Sequence, residues 1–171
     1  MKGAIFFSGK YGSTEQYAKW IGEATGLPIL DIKDDHADPS KYDFLVLGSS
    51  VLYFKLTIRK WARANLSKLN GRSKILFSVS GAGASAKLNN WVANSLPEEL
   101  LSQMEHVALG GKLDHSKISW WLRQILWVGS LFNPNPQARK EERYGFDHMD
   151  KSSIEPIVEK IKQHQQRVVS S

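Results

Sequence analysis

Cysteine is absent from the 171-residue chain, which excludes disulfides, thiolate nucleophiles, zinc–thiolate centres and iron–sulfur clusters. Long apolar runs are missing too: none approaches the roughly 20 residues that span a bilayer. Acidic residues are absent from Phe44 to Pro97, a span that carries Lys55, Arg59, Lys60, Arg63, Lys68, Arg72, Lys74 and Lys87. With a net charge of +6, this predicts a basic surface that attracts anions: a phosphorylated ligand, an acidic substrate, nucleic acid or an anionic membrane. A solvated lysine face is the plain alternative. Histidines are few, and His36, His106, His115, His148 and His164 show no metal-ligand spacing, so no metal site is expected.

What remains is ordinary for a globular protein. Hydrophobic content is 42% and charged content 23%, and the length suits one domain over residues 1–171. The N-terminus opens into a strand pattern rather than a signal peptide, so a cytoplasmic protein is expected. Short apolar runs (Ala4–Phe7, Ile29–Ile32, Phe44–Leu47, Ile75–Val79, Val107–Leu109) alternate with helical patterns such as Tyr17, Ile21 and Ala24. Thr57–Leu69 reads as a helix, and Gly48–Phe54 as a loop. The last helix repeats Ile154, Ile157, Val158 and Ile161, with Ser152 or Ser153 as cap and Pro156 in its first turn. This is an α/β pattern: five parallel strands covered on both faces, with the ligand beyond their carboxyl ends. Residues 8–14, 48–55 and 80–87 are the expected site walls.

The first wall, Ser8-Gly9-Lys10-Tyr11-Gly12-Ser13-Thr14, lies between strand and helix. Free amides at a helix start favour negative charge; Ser8, Ser13 and Thr14 add hydroxyls, Lys10 adds charge, and Gly12 permits positive φ. A phosphate cradle and an ordinary capped turn both fit. It is not a nucleoside-triphosphate loop, since no Gly-Lys-Ser/Thr ending is present. Gly81-x-Gly83-x-x-Ala86 formally fits a dinucleotide fingerprint, but the next strand ends in Leu109-Gly110-Gly111 without the required carboxylate.

Over its whole length the pattern resembles the flavodoxin superfamily. It is most similar to the flavodoxin-domain branch that includes bacterial quinone-dependent protoporphyrinogen dehydrogenases. The similarity is carried by Ser8-x-Lys10-x-Gly12-x-Thr14, Gly48-x-Ser50-x-x-Tyr53, Ala108-Leu109-Gly110-Gly111-x-Leu113 and an insertion at about 114–150 before the last helix. Gly9 departs from it, standing where the branch usually has threonine. The resemblance implies a three-layer sandwich holding FMN. Ser8, Lys10, Tyr11, Gly12, Ser13 and Thr14 would take its phosphate. Ser50, Val51, Leu52, Tyr53 and Phe54 would cover one face of the isoalloxazine, and Ser80, Gly81, Ala82 and Gly83 would approach the ring edge. Plain core packing is the competing account of the aromatics.

The implied activity is an FMN-dependent dehydrogenase or quinone reductase, acting between an organic donor and a quinone or small anionic substrate, with no residue standing out as an acid or base. A flavodoxin-type electron carrier is the alternative; nucleic-acid binding rests on charge alone and is not expected. Because the flavin loops lie in the acid-free span, cations are expected around the ring, favouring the anionic reduced flavin. Residues 118–132 read as a helix with Trp120, Trp121 and Trp127. It would lie in a membrane interface, making the protein peripheral to the inner membrane, or pack on the domain or a second copy in a homo-oligomer.

Overall fold

Five strands take the parallel order β2-β1-β3-β5-β6 in a computed structural model that describes residues 2–81, 84–114, 116, 118–132 and 134–167. They are β1 (Gly3–Ser8), β2 (Ile29–Asp31), β3 (Phe44–Leu52), β5 (Ser73–Ser80) and β6 (Met104–Gly110); the two-residue β4 (Lys55–Leu56) folds back antiparallel on the end of β3. Helix α1 (Ser13–Thr25) carries the first crossover. Helices α2 (Arg59–Ala64) and α3 (Leu66–Leu69) carry the next, and α4 (Ala86–Ser95) and α5 (Glu98–Leu101) the third.

The strands read as unbroken apolar runs because both faces are buried. With a side-chain period of two, Ile5, Phe7, Val46, Ile75 and Phe77 pack on α1 and the C-terminal helix. Ala4, Phe6, Leu45, Leu47 and Leu76 pack on the helices of the other crossovers. Phe6 is sandwiched between Tyr42 and Trp61, at centroid distances of 5.7 and 5.3 Å. Burying such a side chain contributes about 2–3 kcal/mol.

Three expectations are corrected. Gly48–Leu52 is strand rather than loop: Ser49 pairs with both Ser8 and Ser78, and Ser50 pairs with Val79. The helix expected over Thr57–Leu69 breaks at Asn65, whose backbone leaves helical values at φ −108° and ψ 18° and whose side-chain amide donates to the Trp61 carbonyl at 3.0 Å. The last helix, α8 (Glu155–Arg167), follows a 3₁₀ turn capped by Asp150, which accepts from the Ser152 amide at 2.9 Å. Hydrogen bonds from the Ser152 hydroxyl and then its amide hold the Asp150 carboxyl below its usual pKa.

The insertion has its own architecture. Short strands β7 (Lys112–Leu113) and β8 (Phe146–Asp147) pair antiparallel as a stem. Between them rise helices α6 (Trp120–Phe132) and α7 (Pro136–Tyr144). Arg143 Nε donates to the buried Ser130 Oγ at 3.0 Å, and that hydroxyl donates to the Trp127 carbonyl at 2.6 Å.

Candidate functional site

The cleft lies at the carboxyl ends of the strands, where β1 and β3 send their chains in opposite directions. Gly12, at φ 91°, ends the first loop in the left-handed region that favours glycine. Helix α1 then starts with no side-chain cap, so donors of its first turn face the cleft uncapped. Thr14 is 1% exposed, and its Oγ1 is buried without a hydrogen-bond partner. Gly9 lies against it: a Cβ there would stand 3.0 Å from Thr14 Cβ. The helix start that follows β5 differs. Ser85 caps α4 with its own hydroxyl, accepting from the Leu88 amide at 3.2 Å, so the dinucleotide alternative there lacks the open donors of α1.

Thr57 ties the first two walls together, a role that its place at an expected helix start did not suggest. Its hydroxyl donates to the Ser8 carbonyl at 2.8 Å and lies 3.2 Å from both Ser49 Oγ and Ser50 Oγ. Ser49 Oγ also accepts from the Ile58 amide at 3.2 Å.

Tyr53 and Phe54 form the two-residue tip of the β3–β4 hairpin, with φ of 50° and 62°. Such a turn normally takes Asn-Gly. Two bulky residues with positive φ cost roughly 1–2 kcal/mol each. Both are exposed, at 65% and 68%, and Phe54 leans on Trp91 at 5.3 Å. This is not core packing. The strain presents two aromatic rings to the cleft.

The third wall is the end of β5. The Ser80 carbonyl accepts from the Gly111 amide at 2.9 Å, while Ser80 Oγ is buried without a partner. Phe146 of the insertion lies so close over Gly81 that a Cβ there would stand 2.3 Å from its ring. Buried Tyr17 anchors this corner: its hydroxyl donates to the Gly110 carbonyl at 2.9 Å and accepts from the Asp150 amide at 3.1 Å.

Together these walls enclose about 490 Å³, within the range of small-molecule sites. Tyr11, Ser13, Thr14, Ser50, Val51, Leu52, Tyr53, Phe54, Ser80 and Gly81 all line the cleft. Ser8, Lys10 and Gly12 are not among the lining residues. Ser8 is buried, and Lys10 is exposed with its Nζ 5.5 Å from the Tyr11 ring. Ala82 and Gly83 lie outside the described residues. Sequence reasoning missed Val79, Trp91, Gly111, Lys112, Leu113, Ile125, Leu126 and Phe146. The Gly110-Gly111-x-Leu113 match was the available signal for three of these neighbours; nothing local marked Ile125, Leu126 or Phe146.

The expected ring of cations is also corrected. None of the eight basic residues of the acid-free span lines the cleft. Three serve the opposite end of the sheet: Lys68 pairs with Asp38, Arg72 donates to the Tyr42 carbonyl, and buried Lys74 donates to the Leu69 carbonyl. Burial holds the Lys74 ammonium below its usual pKa. The cleft's charged lining residue is Lys112, paired with Asp147 at 2.9 Å. Hydrogen bonding to Asp147 raises the Lys112 pKa; that bond and the Met149 amide lower that of Asp147. No carboxylate is among the described lining residues.

An α/β sheet with an uncapped first-crossover helix, a cleft at the β1/β3 switch point and an aromatic-tipped hairpin over it defines a nucleotide-cofactor class of fold. The flavodoxin domain family matches residues 4–139, and the chain belongs to that family. Among solved structures, a flavodoxin, WrbA-like protein from Agrobacterium tumefaciens is 13% identical; the match covers 95% of this chain and 98% of that one with a TM-score of 0.50. The Trp repressor binding protein from Bacillus subtilis is 13% identical, covering 83% and 95% with a TM-score of 0.50. A flavoprotein from Lactobacillus acidophilus NCFM, solved in complex with FMN, is 12% identical and covers 64% and 92% with a TM-score of 0.46. No curated protein matches the chain.

Proposed function

We propose that the cleft holds FMN and that the protein is an oxidoreductase passing electrons between an organic donor and a quinone. The observation that carries this is the Thr14 hydroxyl, buried and unpartnered at the uncapped start of α1. An orphaned hydroxyl in that place costs about 1–3 kcal/mol unless a ligand oxygen meets it. A phosphate ester fits it, with Tyr11, Ser13 and the first-turn amides beside it and Ser8, Lys10 and Gly12 shaping the loop. Tyr53 and Phe54 would cover one face of the isoalloxazine, and Ser80 Oγ, the second unpartnered hydroxyl, faces its edge. FMN, when bound, supplies the hydride or electron transfer; the chain supplies the anchoring, the orientation and the exclusion of water.

The substrate class follows from the remaining walls. Val79, Leu113, Ile125 and Leu126 are apolar, which suits a quinone ring better than a small anion. A protoporphyrinogen-like donor, an apolar macrocycle with carboxylates, is the second assignment and rests on Lys112 alone. An electron carrier without its own substrate leaves the wall added by α6 and Phe146 without a use.

Rapid mixing separates enzyme from carrier. FMN-loaded protein, reduced photochemically, is mixed with menadione, and protoporphyrinogen oxidation by the oxidised protein is followed in parallel. Direct reoxidation by menadione, at a rate that saturates with quinone concentration, supports the assignment. A reduced protein that persists until a redox protein partner is added overturns it.

A further inference from the structure

We infer that the exposed face of α6, together with the Tyr53–Phe54 tip, is a docking surface for an anionic lipid bilayer and that the cleft opens onto that surface. Trp120, Trp121, Trp127, Val128, Leu131 and Phe132 are all exposed, Trp121 at 70% and Phe132 at 81%. At about 100° per residue, they and Ile125 fall within an arc of roughly 160°, interrupted by Gln124. The opposite side of the helix holds Ser130, buried against Arg143 of α7. So the apolar arc is what the insertion presents outward. Tryptophan and phenylalanine in such number suit the bilayer interface. A helix of 13 residues is about 20 Å long and lies in that interface rather than crossing it. No helix among the described residues is long and apolar enough to cross a membrane.

A second copy of the chain would also cover an apolar face, and charge decides between the two. Lys10, Lys55, Lys87 and Arg123 are exposed. Lys10 and Lys55 adjoin the cleft-lining residues Tyr11 and Phe54, and Lys87 and Arg123 stand one helical turn from Trp91 and Leu126. Two identical faces meeting about a two-fold axis bring such cations together, and like charges repel. An anionic lipid surface complements them. Geometry agrees. Ile125 lines the cleft from α6, and Tyr53 and Phe54 line it from the hairpin, so a partner subunit on this face would seal the mouth. A bilayer covering it places the mouth against the phase in which apolar quinones dissolve. The inference rests on the function proposed above only in that last step.

The test is co-sedimentation of the FMN-loaded full chain with vesicles of phosphatidylcholine, with and without phosphatidylglycerol, beside sedimentation equilibrium of the free protein. Two variants accompany it: Trp120→Ser/Trp127→Ser/Phe132→Ser, and Lys55→Glu/Lys87→Glu, none of which lines the cleft. The wild type is expected to be monomeric and to bind the anionic vesicles, less so as salt rises. The aromatic variant loses at least about tenfold in partitioning, the charge variant about tenfold at low salt, and both keep their flavin spectrum. Equal partitioning of wild type and both variants, or a wild-type dimer that the aromatic substitutions convert to monomer, overturns the inference. Vesicle binding that survives a failure to retain FMN sinks the cofactor assignment and leaves the surface standing.

Discussion

The hydroxyl of Thr57 donates to the carbonyl of Ser8 across 2.8 Å, fastening the strand that opens the first loop to the hairpin that carries Tyr53 and Phe54. The same oxygen lies 3.2 Å from the hydroxyls of Ser49 and Ser50, so one side chain sets the distance between the loop and the aromatic tip. Thr57→Val keeps the shape and removes the hydroxyl. Thermal unfolding should show a loss of roughly 1–2 kcal/mol, because the Ser8 carbonyl is left without that donor. FMN retention should weaken as well, while Thr57→Ser should restore both.

Thr14 behaves in the opposite sense. Its hydroxyl has no partner within the protein, so Thr14→Val removes a buried polar group that is unsatisfied without ligand. The apo protein should be as stable as wild type or more so, by up to about 1 kcal/mol. FMN affinity should fall by at least about tenfold, and riboflavin affinity should not change. Isothermal titration with the two flavins, beside a melt of the apo protein, reads all three quantities.

The hairpin tip stores strain that a conventional turn would release. Replacing Tyr53→Asn and Phe54→Gly places residues suited to positive φ where the backbone already adopts 50° and 62°. Urea unfolding of the apo protein should show a gain of about 1 kcal/mol, after the loss of the Phe54–Trp91 contact. Flavin dissociation should become faster by about tenfold or more. An apo protein that is destabilised instead would mean that the rings serve packing.

His106 provides the pH dependence. Its Nε2 lies 2.7 Å from the buried Ser78 Oγ, and burial lowers the imidazole pKa below its ordinary value. A folded-state pKa lower than the unfolded one means that the unfolded chain takes up the proton first. Stability is therefore full above about pH 6.5 and declines as the pH falls from there through the folded-state value. The melting temperature should drop over that window in the wild type and stay flatter in His106→Gln. Equal slopes would remove His106 from the account.

Much of this was legible from residues alone because it follows from local physics. Ala4–Phe7 and Ile75–Val79 read as buried strands since both of their faces are covered, and Gly12-Ser13-Thr14 read as a helix start, though cradle and capped turn fitted it alike. Gly48-Ser49-Ser50 did not read as strand, because small polar residues signal turns and only the neighbours on both sides make them pair. Tyr53-Phe54 gave no hairpin signal, as the backbone there defies the usual turn chemistry. The basic span misled for a different reason. Its charges are contiguous in sequence, but Lys68, Arg72 and Lys74 precede or begin β5, whereas the cleft lies where that strand ends. The walls contributed by Ile125, Leu126 and Phe146 come from an insertion whose placement is a tertiary fact.

The cofactor assignment turns on whether the uncapped start of α1 receives a phosphate ester. Stripped protein titrated in parallel with FMN and riboflavin, followed by quenching of flavin fluorescence, addresses this directly. One FMN should bind per chain, with riboflavin at least about tenfold weaker because it lacks the group that Thr14 and the first-turn amides await. Equal affinity for the two flavins, or no quenching by either, would contradict the account.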